Sequence, residues 1–124
     1  MFWGDRVMTP QEIAVRAVKN VVPGVRVATR MPDPRPDSFV IVSRIGGGAV
    51  DWGFRSPRFL VECFARTELE AERLADHVWS RWRNIRGAGV QWASVDNNLA
   101  RHDDVDPKWS RFQFTATLQL IPQP

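Results

Sequence analysis

Residues 24–47 read GVRVATRMPDPRPDSFVIVSRIGG, and the rest of the chain can be interpreted around this stretch. Two strand-like runs, Val25–Arg30 and Ser38–Ile45, flank a connection with prolines at 32, 34 and 36. Each proline fixes its own φ and favours extended backbone in the residue before it, so the connection is stiff and not helical. The second run is apolar at four consecutive positions, Phe39–Val42. A strand of this kind is covered on both faces, which predicts a central place in the sheet.

The composition is that of one folded, soluble domain spanning residues 1–124. Of the 124 residues, 44% are apolar and 25% are charged, and the net charge of +3 is only a mild basic excess. Cys63 is the only cysteine, which excludes an intrachain disulfide and a metal cage made of cysteines alone. The sequence has no membrane-length apolar run and no signal-peptide pattern at its start. We therefore expect the protein to stay where it is made, unless it leaves within a larger particle.

Two helices are predicted from their capping residues. The first begins with the capping box Thr9–Glu12, which has proline at the first helical position, and ends at Pro23-Gly24. The second begins with the capping box Thr67–Glu70 and ends at Gly87–Gly89. Its apolar residues form a stripe about 100° wide, the width expected for a helix that packs on a sheet. The stripe consists of Ala71, Leu74, Ala75, Val78, Trp82 and Ile85.

Three further strands are predicted from apolar patterns, at Arg58–Ala65, Val90–Val95 and Trp109–Ile121. The tract that begins at Gly46-Gly47-Gly48 is interpreted as a flexible loop, so that the first three strands form an open meander. The order α-β-β-β-α-β-β predicts an α+β fold, with a mostly antiparallel sheet of about five strands and both helices packed on one face. A second sheet layer or a neighbouring subunit would then cover the other face of the apolar strand Ser38–Ile45.

The sequence contains no recognisable catalytic or cofactor motif. Cys63, His77 and His102 are scattered, and nothing in the pattern brings a nucleophile together with a base. Gly46–Gly48 lacks the Gly-Lys-Ser/Thr ending of a phosphate loop. The acidic loop 96–108 lacks the glycine and glutamate of a calcium loop, which leaves only weak magnesium binding open. We expect no enzyme, no cofactor and no dedicated metal site.

The residues around the glycine-rich tract are candidates for an interface or channel loop. They are Arg44, Trp52, Phe54, Arg55 and Arg58. Large aromatic side chains and arginines without an evident core role are typical of protein interfaces. The alternative, that Trp52 and Phe54 fold back onto their own domain, is equally open from the sequence.

A second basic group, Arg81, Arg83 and Arg86, surrounds Trp82 at the end of the second helix. Such a group is found in nucleic-acid sites, but cationic side chains also stabilise the C-terminal end of a helix. Because Trp82 lies on the core-facing stripe, the helix-end interpretation is preferred.

A succession of segments along the chain has a family likeness. The segments are Pro23–Val27, Thr29-Arg30, Pro32, Pro34–Pro36, Phe39-Val40, Arg44–Gly47, Val61–Ala65, Thr67-Glu68, Glu70–Glu72 and Arg111–Thr115. In this order and spacing, they resemble the tail terminator (tail completion) proteins of long-tailed bacteriophages, particularly those that infect actinobacteria. The likeness spans most of the chain, except the segment Gly48–Ser56 and the acidic loop 96–108.

The resemblance implies a structural virion protein without catalysis. Such a protein forms a hexameric ring on the head-proximal end of the tail tube, ends tube polymerisation and presents a surface for head-tail joining. The implied partners are further copies of the chain, the tail tube protein and a head-completion (stopper) protein. Genomic DNA passes through the ring, no membrane is involved, and assembly takes place in the host cytoplasm. Two alternatives remain: another neck component, such as a stopper or tail-tube-joining protein, and a small nucleic-acid-binding module.

Overall fold

The structure, a computed structural model, describes residues 8–49 and 55–121. The helices are α1 (Pro10–Val21) and α2 (Glu68–Trp82), and the strands are β1 (Arg26–Ala28), β2 (Ser38–Ala49), β3 (Arg55–Ala65), β4 (Val90–Val95), β5 (Ala100–Arg101) and β6 (Ser110–Leu120). The strands form one sheet in the order β1-β2-β3-β6-β4, and β5 pairs with the same edge of β6 as β4 does. The predicted α+β class and its mostly antiparallel sheet are confirmed. The strand β5 was not predicted, because it lies in the loop 96–108.

Both helices begin where the capping residues predict. Thr9 Oγ1 accepts from the Glu12 N–H at 3.2 Å, and the Thr9 N–H donates to Glu12 Oε1 at 2.9 Å. At α2, Thr67 Oγ1 accepts from the Glu70 N–H at 3.2 Å. The helix α2 ends at Trp82, earlier than predicted, because the next N–H groups bond to carbonyls three residues back and tighten the turn. Ile85 therefore lies beyond the helix but stays buried.

The first three strands do not form the predicted meander, because β1 and β2 run parallel. Val27 pairs with Val40, and the two following residues, Ala28 and Ile41, pair in the same direction. Parallel neighbours need a connection that travels back along the sheet. The proline-rich residues 29–37 make that return.

The strands β2 and β3 form a longer hairpin than the sequence predicts. The glycines at 46, 47 and 48 belong to β2 and pair with Arg58, Pro57 and Ser56, so their interpretation as a loop was wrong. A bulge follows Arg44, and Gly46 and Gly47 have φ values of +111° and +120°. These backbone angles are accessible to glycine, which explains why residues with low strand preference continue the strand. We call Arg44–Ala49 with Arg55–Phe59 the hairpin arm.

Both helices pack on one face of the sheet, as predicted. Trp82 of α2 is fully buried there, with its ring 6.1 Å from that of Phe59 and 6.5 Å from that of Phe114. Its Nε1–H donates to the Thr117 carbonyl at 3.2 Å, so the indole polar group is satisfied. The core on this face also contains Ile13, Ala14, Val18, Val40, Val42, Val61, Cys63, Ala71, Ala75, Val78 and Leu118.

The opposite face has a second, smaller apolar cluster. Phe39, Ile41 and Phe64 form it, and the rings of Phe39 and Phe64 stack at 4.6 Å. Trp109 packs against the cluster and donates its Nε1–H to the Pro36 carbonyl at 3.3 Å. Loops of the same chain therefore cover this end of the face, where the sequence predicted a second sheet or a subunit. The reason is the parallel β1–β2 pair, whose connection must cross here.

Candidate functional site

The three arginines of the predicted interface loop lie on the hairpin arm, but they do not form one group. Arg44 is opposite Phe59 and Arg55 is opposite Leu120, so both belong to the helix-bearing face of the sheet. Arg58 is opposite Thr117 and lies on the other face. Arg44 and Arg55 are exposed and form no ion pair with any carboxylate in residues 8–49 and 55–121. Trp52 and Phe54 fall outside the described residues, so their interface role stays a prediction.

Arg58 is engaged within its own domain. Its Nε–H donates to Asp96 Oδ2 at 2.9 Å, and one terminal nitrogen donates to Thr115 Oγ1 at 3.3 Å. Asp96 also accepts from the Thr117 hydroxyl at 3.0 Å. These bonds hold the segment after β4 against the open face of β6. Arg58 is therefore better explained as a structural residue than as a free contact for a partner.

Several carboxylates of the acidic loop form contacts within the chain. Arg35 forms a hydrogen-bonded ion pair with the largely buried carboxylate of Asp104. Burial alone would raise the pKa of Asp104, but the hydrogen bond and positive charge of Arg35 outweigh burial and lower it. Asp106 accepts from the Lys108 N–H at 2.9 Å, and Asp103 lies 3.4 Å from Arg101. Within the described ranges, no three acidic, histidine or cysteine residues are grouped so that they could hold a metal ion.

Cys63, His77 and His102 occupy separate environments. Cys63 is completely buried on the helix-bearing face, and this burial raises the pKa of its thiol. His102 is exposed in the loop after β5. His77 lies at the contact of the two helices, with Nε2 3.2 Å from the Val21 carbonyl and Nδ1 2.9 Å from an Arg81 nitrogen. Since arginine can only donate, Nδ1 is the acceptor and Nε2 carries the proton. His77 thus connects the helices and is not placed to activate the Cys63 thiol.

A groove that the sequence did not reveal lies between the C-terminal ends of α1 and α2. It consists of two adjoining cavities of about 450 Å³ and 220 Å³ that share Ala17, Asn20, Ile85 and Arg86 in their walls. Arg81 and Asn84 line the larger cavity, and Arg16 lines the smaller. Of the residues that the structure describes, no acidic one lines either cavity. The sequence analysis interpreted Arg81 and Arg86 only as helix-end residues and did not single out Arg16, because Arg16 lies on α1, far from them in the sequence.

Both edges of the sheet have unpaired strand segments within the described part of the chain. On one side, β1 covers β2 only from Phe39 to Ile41, which leaves the outer edge of the hairpin arm open. On the other side, β4 and β5 form the outermost row beside β6. Open strand edges carry free backbone donors and acceptors, and are ready sites for pairing with another chain.

No protein-family model matches the chain, and no curated protein matches it. Among the helices in the described residues, none is long and apolar enough to cross a membrane.

Proposed function

We propose that this protein is a tail terminator of a long-tailed bacteriophage. In this role it caps the head-proximal end of the tail tube, ends tube polymerisation and forms the surface for head-tail joining as a hexameric ring. The ordered succession of family-like segments carries the proposal. The role requires no catalytic step.

The positions of these segments in the fold support the proposal. Residues 23–47 supply β1, the proline-rich connection and most of β2, while Val61–Ala65 and Arg111–Thr115 lie on β3 and β6. These four strands are neighbours in the sheet. The segments from Thr67 to Glu72 add the beginning of α2. The likeness therefore follows one contiguous structural unit, as expected if the fold itself is shared.

The shape of the domain is also suited to a ring. A closed ring of identical subunits needs two different surfaces that complement each other. The open outer edge of the hairpin arm and the β4–β5 edge lie on opposite sides of the sheet. The arm also presents Arg44 and Arg55 without carboxylate partners from the described residues, which suits a surface that meets a neighbour.

Electron microscopy of lysates from a phage with a null allele of this gene tests the proposal. We expect overlong or ragged tails that are not joined to heads, and restoration of normal virions when the wild-type gene is supplied on a plasmid. Plasmid-borne protein with Leu118→Ala serves as a control for loss through unfolding, because Leu118 is completely buried.

The same micrographs distinguish the rival role. Tails of normal length beside unjoined heads would assign the protein to another neck component, a stopper or tail-tube-joining protein. Normal virions from the null phage, or absence of the protein from purified virions, would refute both roles.

A further inference from the structure

We propose that the groove between the ends of α1 and α2 binds the phosphate backbone of duplex DNA without reading its sequence. The inference does not depend on the proposed tail role, because it concerns a site on the isolated domain. Its test uses purified protein, so it can fail or succeed separately from the microscopy of the null phage.

Contacts within the chain already hold two arginines of the groove in place. Arg86 donates from one terminal nitrogen to the carbonyls of Arg83 and Ile85, at 2.9 and 2.7 Å. Its guanidinium carbon also lies 5.4 Å from the centre of the Trp92 ring. Arg81 donates one terminal N–H to His77 Nδ1 at 2.9 Å. Side chains that are fixed before binding lose less conformational entropy when a ligand arrives.

Arg81 and Arg86 retain N–H donors that no described residue uses. A guanidinium has five N–H donors. The contacts above use one terminal nitrogen of each side chain, and no residue of the described ranges accepts from the other nitrogens of Arg81 or Arg86. Asn20 and Asn84 add amide donors to the same walls. An arginine with free N–H donors binds phosphate oxygens by charge-assisted hydrogen bonds.

The charged side chains that line the groove are all positive within the described residues. Among the described residues, the groove walls include Arg16, Arg81 and Arg86 and no carboxylate. None of these three arginines forms an ion pair with an acidic residue of the same ranges. Helix capping explains only the Arg86 contacts with the carbonyls of Arg83 and Ile85. Arg16 lies in the second turn of α1 and cannot cap the end of either helix. A polyanion is therefore a better match than a neutral or cationic partner.

A further exposed arginine, Arg55 on the hairpin arm, lies near the groove. Val90, in the groove wall, and Arg55, on the hairpin arm, both pair with Leu120 on opposite sides of β6. Two strand spacings separate them, which is about 10 Å. Each strand of a duplex has one phosphate per about 3.4 Å of helix axis. A surface of this length fits successive phosphates better than it fits one small phosphate ester.

Duplex DNA is favoured over a single strand by the position of Trp92. Single strands are held largely by bases stacked on aromatic rings. Trp92 is 58% exposed, but Arg86 lies over its ring, so the tryptophan positions the arginine. Within residues 8–49 and 55–121, no aromatic side chain lines the groove itself.

Fluorescence anisotropy with a labelled, random-sequence DNA duplex at low salt tests the inference. The wild-type protein should bind with a steep salt dependence. Arg81→Ala/Arg86→Ala should weaken binding by at least about tenfold and reduce the slope of log affinity against log salt by about two units. Arg26→Ala/Arg30→Ala is the matched control, since it removes two exposed arginines near β1, on the far edge of the sheet, and should change affinity by less than about threefold.

A second variant distinguishes weaker DNA binding from loss of folding. Asn20→Asp places a carboxylate in the groove wall and removes no arginine, so it should weaken DNA binding while the melting temperature stays that of the wild type. Absence of wild-type binding at low salt, or equal weakening by the groove pair and the control pair, would overturn the inference. A preference for a single strand of equal length, lost in Trp92→Ala, would also overturn it and indicate a base-stacking site.

Discussion

Gly47 lies opposite Pro57 in the hairpin arm so closely that a β-carbon on Gly47 would stand 2.7 Å from the Pro57 Cα. The same atom would be 2.1 Å from the Ser56 carbonyl oxygen, and the backbone at Gly47 has a φ of +120°. The close approach of the two strands in the arm thus depends on the absence of a side chain at this position.

We predict that Gly47→Ala destabilises the arm. The clash and the positive φ together should lower the free energy of unfolding by about 1–3 kcal/mol. Gly48→Ala is the control, because a β-carbon there meets nothing within 4 Å. Urea denaturation followed by circular dichroism measures both, and equal stability of the two variants would show that the arm does not need a glycine at 47.

The buried faces of the elements can be tested with a pair of leucines. Leu118 is completely buried in β6, whereas Leu69 in the first turn of α2 is 53% exposed. Leu118→Ala should cost about 2–5 kcal/mol of unfolding free energy, and Leu69→Ala about 0.5 kcal/mol or less. If the urea midpoints of the two variants coincide, the assignment of the core to the helix-bearing face is wrong.

The thiol of Cys63 should be unreactive in the folded protein. The thiolate is the reactive form, and burial of Cys63 both raises the pKa of the thiol and excludes the reagent. Because the chain has one cysteine, labelling with an aromatic disulfide reagent reports on this group alone. We expect no labelling in native buffer and complete labelling in denaturant. Rapid native labelling would mean that β3 is open to solvent.

The ion pair of Arg35 with Asp104 should contribute stability that acid removes. Because the folded-state pKa of Asp104 is lower than the ordinary value of about 3.9, the contribution is present above that value and is lost as the pH falls through the folded-state pKa. Asp104→Asn should therefore be less stable than the wild type at neutral pH, and the difference should vanish in acid. Hydrogen bonds with Thr9 also lower the pKa of Glu12, but this effect is common to both proteins and cancels. A pH-independent difference would contradict the assignment.

Arg55→Ala should impair assembly more than folding. Arg55 is exposed and makes no ion pair with a described carboxylate, so its removal should change the unfolding free energy by no more than about 0.5 kcal/mol. Complementation of the null phage should fail or weaken with Arg55→Ala and succeed with Arg26→Ala. From sequence alone we predict the same for Trp52→Ala. A large fall in melting temperature would place either residue in the core.

The sequence predicted the elements whose signals are local. The capping residues located the starts of α1 and α2, and the apolar pattern of Trp109–Ile121 located β6. The bounds of β4 were predicted as Val90–Val95 and are confirmed. Each of these features depends on residues within a few positions of one another, so pattern and propensity were sufficient.

The features that the sequence did not reveal depend on distant parts of the chain. The parallel pairing of β1 with β2 is set by the path of the connection, which has no local signature. The glycines at 46–48 have low strand preference, and pairing with β3 overrides it. The groove needs Arg16 and Arg86 together, and only the packing of α1 beside α2 brings them to one place. Trp109 packs over Phe39 and Phe64, and only the folded chain brings these distant residues together.

The packing of Trp109 over Phe39 and Phe64 limits the order in which the growing chain can fold. The proline-rich connection emerges from the ribosome long before its partners, because the sequence separation is 73 residues from Pro36 to Trp109 and 69 from Arg35 to Asp104. Until Trp109 has been synthesised, Phe39 and Phe64 lack their cover, and β3 lacks β6 as its second neighbour. Contacts of such long sequence separation form late and slowly. A truncated or stalled chain would therefore expose paired aromatic rings on an open sheet, a surface that chaperones must shield until the C-terminal strand arrives.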